Sequence, residues 1–225
     1  MRVEEIMSRE VVGVSPSTSL KTVARLLLEH AFSGVPVVAD SGKVLGIVSE
    51  GDVLVKAAAG LARHEHPSNW LFGDDEALEM KRGARTAADA MSHPAVTVDP
   101  RCTVAEAARL MVRRSVNRLP VVDRGALVGI VTRTDIVRAF ARSDADLLEQ
   151  IRSEVLLDTL WIDPATVDLA VEDGEVTLTG VVETRTVAEL VPVYVALVPG
   201  VVSVDTAELG WRTETHVERR HASRL

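Results

Sequence analysis

Cysteine is nearly absent from the chain, with Cys102 alone among 225 residues. A single thiol closes no intrachain disulfide and cannot supply a multi-thiolate metal site. Aromatic residues are only 3% of the composition, so there are few rings on which bases could stack, and an apolar fraction of 47% must fill its core with Val, Leu, Ala and Ile. Positive charge is outnumbered: 25 Lys and Arg face 33 Asp and Glu, a formal net charge of −8. That balance argues against nucleic acid as a partner and against simple adhesion to anionic membranes. No unbroken apolar run reaches the ~20 residues of a membrane-spanning helix. The N-terminus, MRVEEIMSREVV, has acids where a signal peptide would have its apolar core. A soluble, cytoplasmic protein is expected, long enough for one large or two modest domains.

What is present is a repeat. Gly46 to Asp52 reads GIVSEGD and Gly129 to Asp135 reads GIVTRTD. In each, an apolar strand runs through a glycine to a hydroxyl residue, with an aspartate three positions on at the mouth of a helix. The hydroxyls (Ser49, Thr132) and the first N–H groups of the following helix can meet a phosphate, since helix N-termini carry unpaired donors and partial positive charge. The aspartates (Asp52, Asp135) offer acceptor pairs for ribose hydroxyls. Ser or Thr followed three residues later by an acid is also the helix capping box, and a single copy is more often a cap than a ligand site. The match extends well beyond the motif, however. Met7-Ser8 falls on Met91-Ser92, Val12-Gly13-Val14 on Val96-Thr97-Val98, Pro16 on Pro100, and Val35-Pro36-Val37-Val38 on Leu119-Pro120-Val121-Val122. The offset is 84 up to the prolines and 83 from Gly42 and Gly125 onward, so one turn has lost a residue. The chain holds two units, not an array.

These blocks resemble a tandem pair of cystathionine β-synthase (CBS) domains over residues 1–142. The resemblance implies a mixed α/β (α+β) fold of two paired βαββα units, with adenosyl compounds bound between them. It also implies a homodimer formed face to face through the helices. The domain limits expected are 1–60 and 86–142 for the two units, with a connector at 61–85.

The local signals agree with that layout. Val11 to Val14 reads as a short strand, and Ser19 can cap a helix whose Leu20, Val23, Ala24, Leu27 and Ala31 share a face and which Ser33-Gly34 ends. Val35 to Val38 and Val44 to Val48 flank a polar turn and read as a hairpin, after which Asp52 opens an alanine-rich helix. The connector has no counterpart in the second unit. His64 and His66 lack a third and fourth ligand at a metal-binding spacing, which makes them solvated linker residues. Trp70 and Phe72 are expected to pack across the two-unit interface, ahead of a short helix from Asp74 or Asp75 to Arg82, closed by Gly83. In the second unit Thr103 and Glu106 form a capping box before a helix with Val104, Ala107, Ala108 and Met111 on one face. Cys102 is read as a packing residue, because nothing near it in sequence looks like its base.

The two half-sites differ. Thr132 is followed by Arg133, and Arg118 precedes Leu119-Pro120, so the second has two guanidinium groups for phosphate oxygens. The first has Glu50 and Gly34 at those positions, and Glu50 would repel a polyphosphate unless it points away. Carried over residue by residue, the resemblance gives the ligand Thr97, Arg118, Leu119, Pro120, Thr132, Arg133 and Asp135. It gives Gly34, Val35, Pro36, Ser49 and Asp52 a weaker role. The adenine would lie against main chain beside Val11 and Ala95, and the second half-site is the expected phosphate binder. The arginines could as easily pair with the chain's surplus acids.

Beyond Arg142 the pattern changes. Asp146 to Leu157 has Leu147, Ile151 and Val155 at helical spacing. Val167 to Val171 and Val176 to Gly180 alternate around Asp173-Gly174, a hairpin. Val187 to Val198 reads as a helix that contains Pro192, at a cost of about 3 kcal/mol if the proline is interior and little if it is in the first turn. Pro199-Gly200 leads to a last strand, Val201 to Val204. GEVTLTGVV (Gly174 to Val182) followed by VPGVVSV (Val198 to Val204) resembles a BON domain over residues 143–210, a small αββαβ fold in which Gly180 and Gly200 are structural. That family is associated with phospholipid or envelope attachment. Residues 211–225 form a polar, basic tail expected to be disordered.

No nucleophile–base pair, metal spacing or Walker-type glycine loop is found, so no catalysis and no required cofactor are expected. The expected function is a sensor whose CBS pair binds AMP, ADP, ATP, NAD or S-adenosylmethionine and alters how the BON domain or an unknown protein partner is presented. The alternative is a constitutive dimeric scaffold whose BON domain binds phospholipid or protein.

Overall fold

The computed structural model describes residues 1–58 and 81–212. The expectations for His64, His66, Trp70, Phe72 and the tail beyond Arg212 lie outside the described residues, and of the connector helix residues 81–83 are described, as helical. Contacts divide the chain into one unit of residues 2–136 and another that starts at Val137.

In the first unit each repeat supplies an antiparallel hairpin. The strands are β1 (Gly34–Val38) with β2 (Val44–Ser49), and β3 (Arg118–Asp123) with β4 (Ala126–Thr132). Both hairpins shift register at the same repeat position, Val37/Val38 and Val121/Val122. The strands expected from Val11 and Ala95 shrink to single parallel bridges, Val14 to Val37 and Val98 to Val121. Proline is the reason. Val14 N–H donates to the Pro36 carbonyl and Val38 N–H to Val14, but the next rung upstream needs an N–H that Pro36 does not have. Pro120 interrupts the second copy in the same way, after Val98 N–H donates to its carbonyl.

Helix α1 (Val3–Ile6) precedes the first repeat, and α2 (Leu20–Glu29) is capped by Ser19, whose hydroxyl accepts from Thr22 N–H. Helix α2 stops at Glu29, short of the expected Ser33-Gly34, and Ala31 leaves it at φ 52°, exposed rather than on the buried face. Helix α3 (Glu50–Ala58) opens two residues before Asp52. The second repeat supplies α4 (Ala87–Ala90), α5 (Val104–Arg114), with the expected Thr103–Glu106 capping box, and α6 (Arg133–Phe140).

The two repeats exchange their lead-ins. Val3 and Met7, which precede the first repeat, are buried with Val98, Met111, Leu119 and Val131 of the second. Ala84, Ala87 and Ala90, which precede the second, are buried with Val14, Leu20, Val23 and Val48 of the first. The main chain follows: Ser8 bridges Ile130 and Ser92 bridges Ile47. At ~1.5–3 kcal/mol for each fully buried Val or Met side chain, neither repeat keeps its core without the other.

In the second unit α7 (Asp144–Gln150), capped by Ser143, continues as a π-helical stretch, Ile151–Thr159, and buries Leu147, Ile151 and Val155 as the spacing predicts. Strands β5 (Val167–Glu172) and β6 (Glu175–Val182) form the expected hairpin, with Asp173 and Gly174 both at positive φ in its turn. Helix α8 (Arg185–Val195) carries Pro192 in its interior. Strands β7 (Ser203–Asp205) and β8 (Leu209–Trp211) lie parallel to successive parts of β6. Trp211, assigned from sequence to the tail, is thus the end of a strand.

Candidate functional site

The repeated motif folds first as a cap. Ser49 precedes α3, and both its N–H and its hydroxyl donate to Asp52 Oδ2, each at 2.7 Å. Thr132 and Asp135 repeat the arrangement: Thr132 N–H and hydroxyl donate to Asp135 Oδ2 at 2.9 and 2.7 Å, and Asp135 N–H returns to Thr132 Oγ1 at 3.3 Å. The capping reading is therefore correct in geometry, and it revises the ligand reading. The carboxylates are not free acceptor pairs, because one oxygen of each is committed to the cap. The first N–H of each helix is also taken: Glu50 N–H donates to the Ser33 carbonyl at 3.1 Å and Arg133 N–H to the Asn117 carbonyl at 3.0 Å. Neither is left for a phosphate.

Asp52 is buried and lines a cleft of about 220 Å³, and its second oxygen, Oδ1, lies outside the cap. The cleft is lined by both repeats: Ser33, Ser49 and Asp52 from the first, and Ser92, Ala95, Val96, Asn117 and Arg118 from the second. The exchanged lead-in produces this mixture, because Ser92 pairs with Ile47 and carries Ala95 and Val96 to the first hairpin. Arg118 is buried and its Nη1 donates to the carbonyl of Gly34, the residue at its own repeat position. Gly34 must be a glycine here. A Cβ would lie 2.9 Å from the Val48 carbonyl oxygen and 3.2 Å from Arg118 Nε. Burial pushes the Arg118 guanidinium down from its ordinary value, and the charge of Glu50 partly opposes this. Glu50 itself is exposed and does not line the cleft.

The grouping of candidate residues by repeat therefore fails. Arg118 stands with Ser49 and Asp52, not with Thr132 and Asp135. Arg133 is exposed, Leu119 and Pro120 are buried in β3, and Val35 and Pro36 are buried in β1. Thr97 lines a different cavity, with Lys43, Val122 and Arg124. Two residues unmarked in the sequence matter instead. Ser92 carried a signal in the repeated Met-Ser pair. Lys81 had none, because it lies in the unrepeated connector. Lys81 Nζ donates to Asp52 Oδ1 and, at 2.9 Å, to Ser92 Oγ.

Nothing in this arrangement resembles a nucleophile with its base. Burial, and then the neighbouring Glu106, push the Cys102 thiol up to about 11, so it carries little thiolate at neutral pH. Among the described residues no group of three or more His, Cys, Asp or Glu could hold a metal ion, and no helix is long and apolar enough to cross a membrane.

The profile described as "CBS domain" matches residues 3–58 and 87–142, and that described as "BON domain" matches residues 143–211. An uncharacterized protein of Methanocaldococcus jannaschii is 33% identical over 153 residues, which is 62% of this chain and 90% of that one. The chloroplastic CBS domain-containing protein CBSX1 of Arabidopsis thaliana is 33% identical over 56% of this chain and 57% of its own length. Among solved structures, CBSX2 in complex with AMP is similar at 31% identity and a TM-score of 0.49, covering 61% of this chain and 94% of that one. The chain belongs to the CBS-domain family, with two CBS domains followed by a BON domain.

Proposed function

We propose that the protein is a non-catalytic, cytoplasmic regulator whose CBS pair binds an adenosyl ligand in the cleft between Asp52 and Arg118. The observation that carries this reading is the convergence, around one cleft, of a buried carboxylate with one oxygen outside its cap, a buried guanidinium and four serines. Oδ1 of Asp52 suits a ribose hydroxyl, Arg118 suits a phosphate, and the main chain at Ala95 and Val96 suits the edge of a base. The sequence favoured the second half-site. The position of Arg118 moves the proposal to the cleft of Asp52. Occupancy shifts the population of arrangements by no more than the ligand's differential affinity for them.

Exposed apolar side chains on the helices support a homodimer. Leu28 and Val112 hold equivalent repeat positions and are 82% and 75% exposed, and Leu54 is 68% exposed. Leu28→Glu should shift the chain to monomer in light scattering. For the BON domain, a protein partner is the better reading. Leu190, Val193 and Tyr194 of α8 and Leu197 just beyond it are exposed, but residues 143–212 hold fourteen acids and three bases, which would repel an anionic lipid surface. A basic, amphipathic protein segment fits both features.

The test is thermal unfolding of the full chain with AMP, ADP, ATP, NAD and S-adenosylmethionine, in parallel with Asp52→Ala and Asp135→Ala. A ligand at 100 times its dissociation constant adds about 2.7 kcal/mol to the folded state. A rise in melting temperature lost in Asp52→Ala and kept in Asp135→Ala is the expected result. No rise with any compound would leave the constitutive scaffold as the better account.

A further inference from the structure

The ribose position of the cleft is already filled by the protein itself. Asp52 Oδ2 takes its two hydrogen bonds from Ser49, and Oδ1, the atom left for a ligand, receives Lys81 Nζ. The pair is well shielded: the Lys81 side chain is 19% exposed and that of Asp52 8%. Lys81 lines a second cavity, of about 650 Å³, together with Arg85, Asp89 and His93, and Ser92 lines both. The lysine therefore stands between two cavities. The smaller, at about 220 Å³, is below the ~300 Å³ at which ordinary ligand pockets begin. A nucleoside needs the space and the oxygen that Lys81 holds.

Displacing Lys81 has a chemical consequence. An ammonium moved off a carboxylate in a shielded site must find another anion or a full set of polar partners. A ligand that brings a phosphate supplies that anion beside the cleft, where Ser92 Oγ already holds the lysine from one side. Adenosine and methylthioadenosine supply none, and S-adenosylmethionine puts a third cation, its sulfonium, next to Arg118 and Lys81, with its carboxylate at the far end of the methionine chain rather than at the 5′ position. Resting on the adenosyl-cleft reading above, we propose that Lys81 is a specificity-determining residue: it competes with ribose for Asp52 Oδ1 and transfers to the ligand's phosphate, which selects nucleotides over neutral or cationic adenosyl compounds.

A purely structural Lys81–Asp52 pair makes a different prediction. Removing it would change stability and shift every ligand's affinity by the same factor. Isothermal titration calorimetry on the full chain with AMP, adenosine and S-adenosylmethionine separates the two, using wild type, Lys81→Met and Lys81→Arg. Wild type should bind AMP at least about tenfold tighter than adenosine, the worth of one charge-assisted contact. In Lys81→Met, adenosine should bind more tightly because its competitor is gone, and the AMP preference should fall by about fivefold or more, Arg118 keeping the remainder. Lys81→Arg should restore the preference. An AMP preference unchanged in Lys81→Met, or absent from wild type, overturns the selector role while leaving the adenosyl cleft intact. No binding of any of the three by wild type overturns the selector role, and no rise in melting temperature with ADP, ATP or NAD in addition overturns the cleft as well. Should Lys81→Met fail to give a cooperative melt, Lys81→Gln, which keeps a donor for Asp52 and has no charge for phosphate, carries the same comparison.

Discussion

The Lys81–Asp52 pair has a measurable weight in the ligand-free protein, and a double-mutant cycle reads it. Lys81→Met removes one partner of Oδ1, while Oδ2 keeps both donors from Ser49. Because the Asp52 side chain is only 8% exposed, water replaces little of what is lost, and the cost should be about 1–3 kcal/mol, the range for a buried group stripped of its partner. Asp52→Ala costs more. It removes the cap of α3, worth about 1 kcal/mol, and strands an ammonium that keeps, among the described residues, Ser92 Oγ, for a total of about 2–4 kcal/mol. In the double variant the cap is still missing but no charge is stranded. The penalties of the single variants should therefore together exceed that of the double by about 2 kcal/mol or more, at the upper end of the usual span for residues in contact. Urea unfolding followed by circular dichroism supplies the four free energies. Additivity to within about 0.5 kcal/mol would refute the reasoning, since it would mean that the lysine and the carboxylate do not act on each other in solution.

Gly34→Ala should destabilise the first unit by about 1–3 kcal/mol, because its Cβ would press on the Val48 carbonyl and on Arg118, and urea unfolding checks this. Gly180→Ala should cost the second unit at least ~2 kcal/mol, since φ is +117° and the Cβ would sit 2.4 Å from the Thr166 carbonyl oxygen; its melting temperature reads the loss. Cys102, with its thiol raised to about 11, should be alkylated by iodoacetamide at pH 8 more than ~100-fold more slowly than a free thiol near 8.5, judged by thiolate fraction, and should reach the free rate only in denaturant. Glu106 is held below the ordinary carboxylate range, first by the Thr103 N–H and then by the Thr103 hydroxyl. Its contribution is thus present above the unfolded carboxylate pKa and lost as pH falls through the lower folded value. Thr103→Ala should flatten that acid limb of an unfolding-versus-pH curve.

What could be read from the sequence was local. The Ser19 and Thr103 caps, the Asp173-Gly174 turn and the Leu147, Ile151, Val155 face each depend on residues within a turn or two of one another, and all appear as expected. What could not be read depends on pairing at a distance. Val3 and Met7 look like the start of their own repeat, yet they belong to the core of the other. Either placement satisfies the apolar pattern, so no periodicity separates them. The grouping of the candidate residues was hidden for that same reason. Grouping Arg118 with Asp135 assumes that each repeat builds its own site, and the exchanged lead-ins make the cleft from both. Proline truncation of the Val11 strand was legible in principle, because the missing N–H of Pro36 follows from the sequence once the parallel register is known, and only then. Strand β8 had too short an apolar signal, Leu209 to Trp211, to stand out from a polar tail.

The asymmetry between the half-sites also follows from packing rather than from the motifs. Positions 34 and 118 are equivalents in the repeat, and the structure brings the residue at one against the main chain of the other. Two arginines there would place two guanidinium groups in one shielded space, and two glycines would leave it without a cation. With one of each, a single buried cation lines the cleft, and that cleft is the one whose aspartate is paired with Lys81. The glycine before Val35 and the lysine in the unrepeated connector thus belong to the same device. The first makes room for Arg118, and the second pairs with the carboxylate that lines the same cleft, which the proposed selection would put to use. A repeat that had kept both copies identical could not have built it, because the device needs the two halves to differ at the point where they meet.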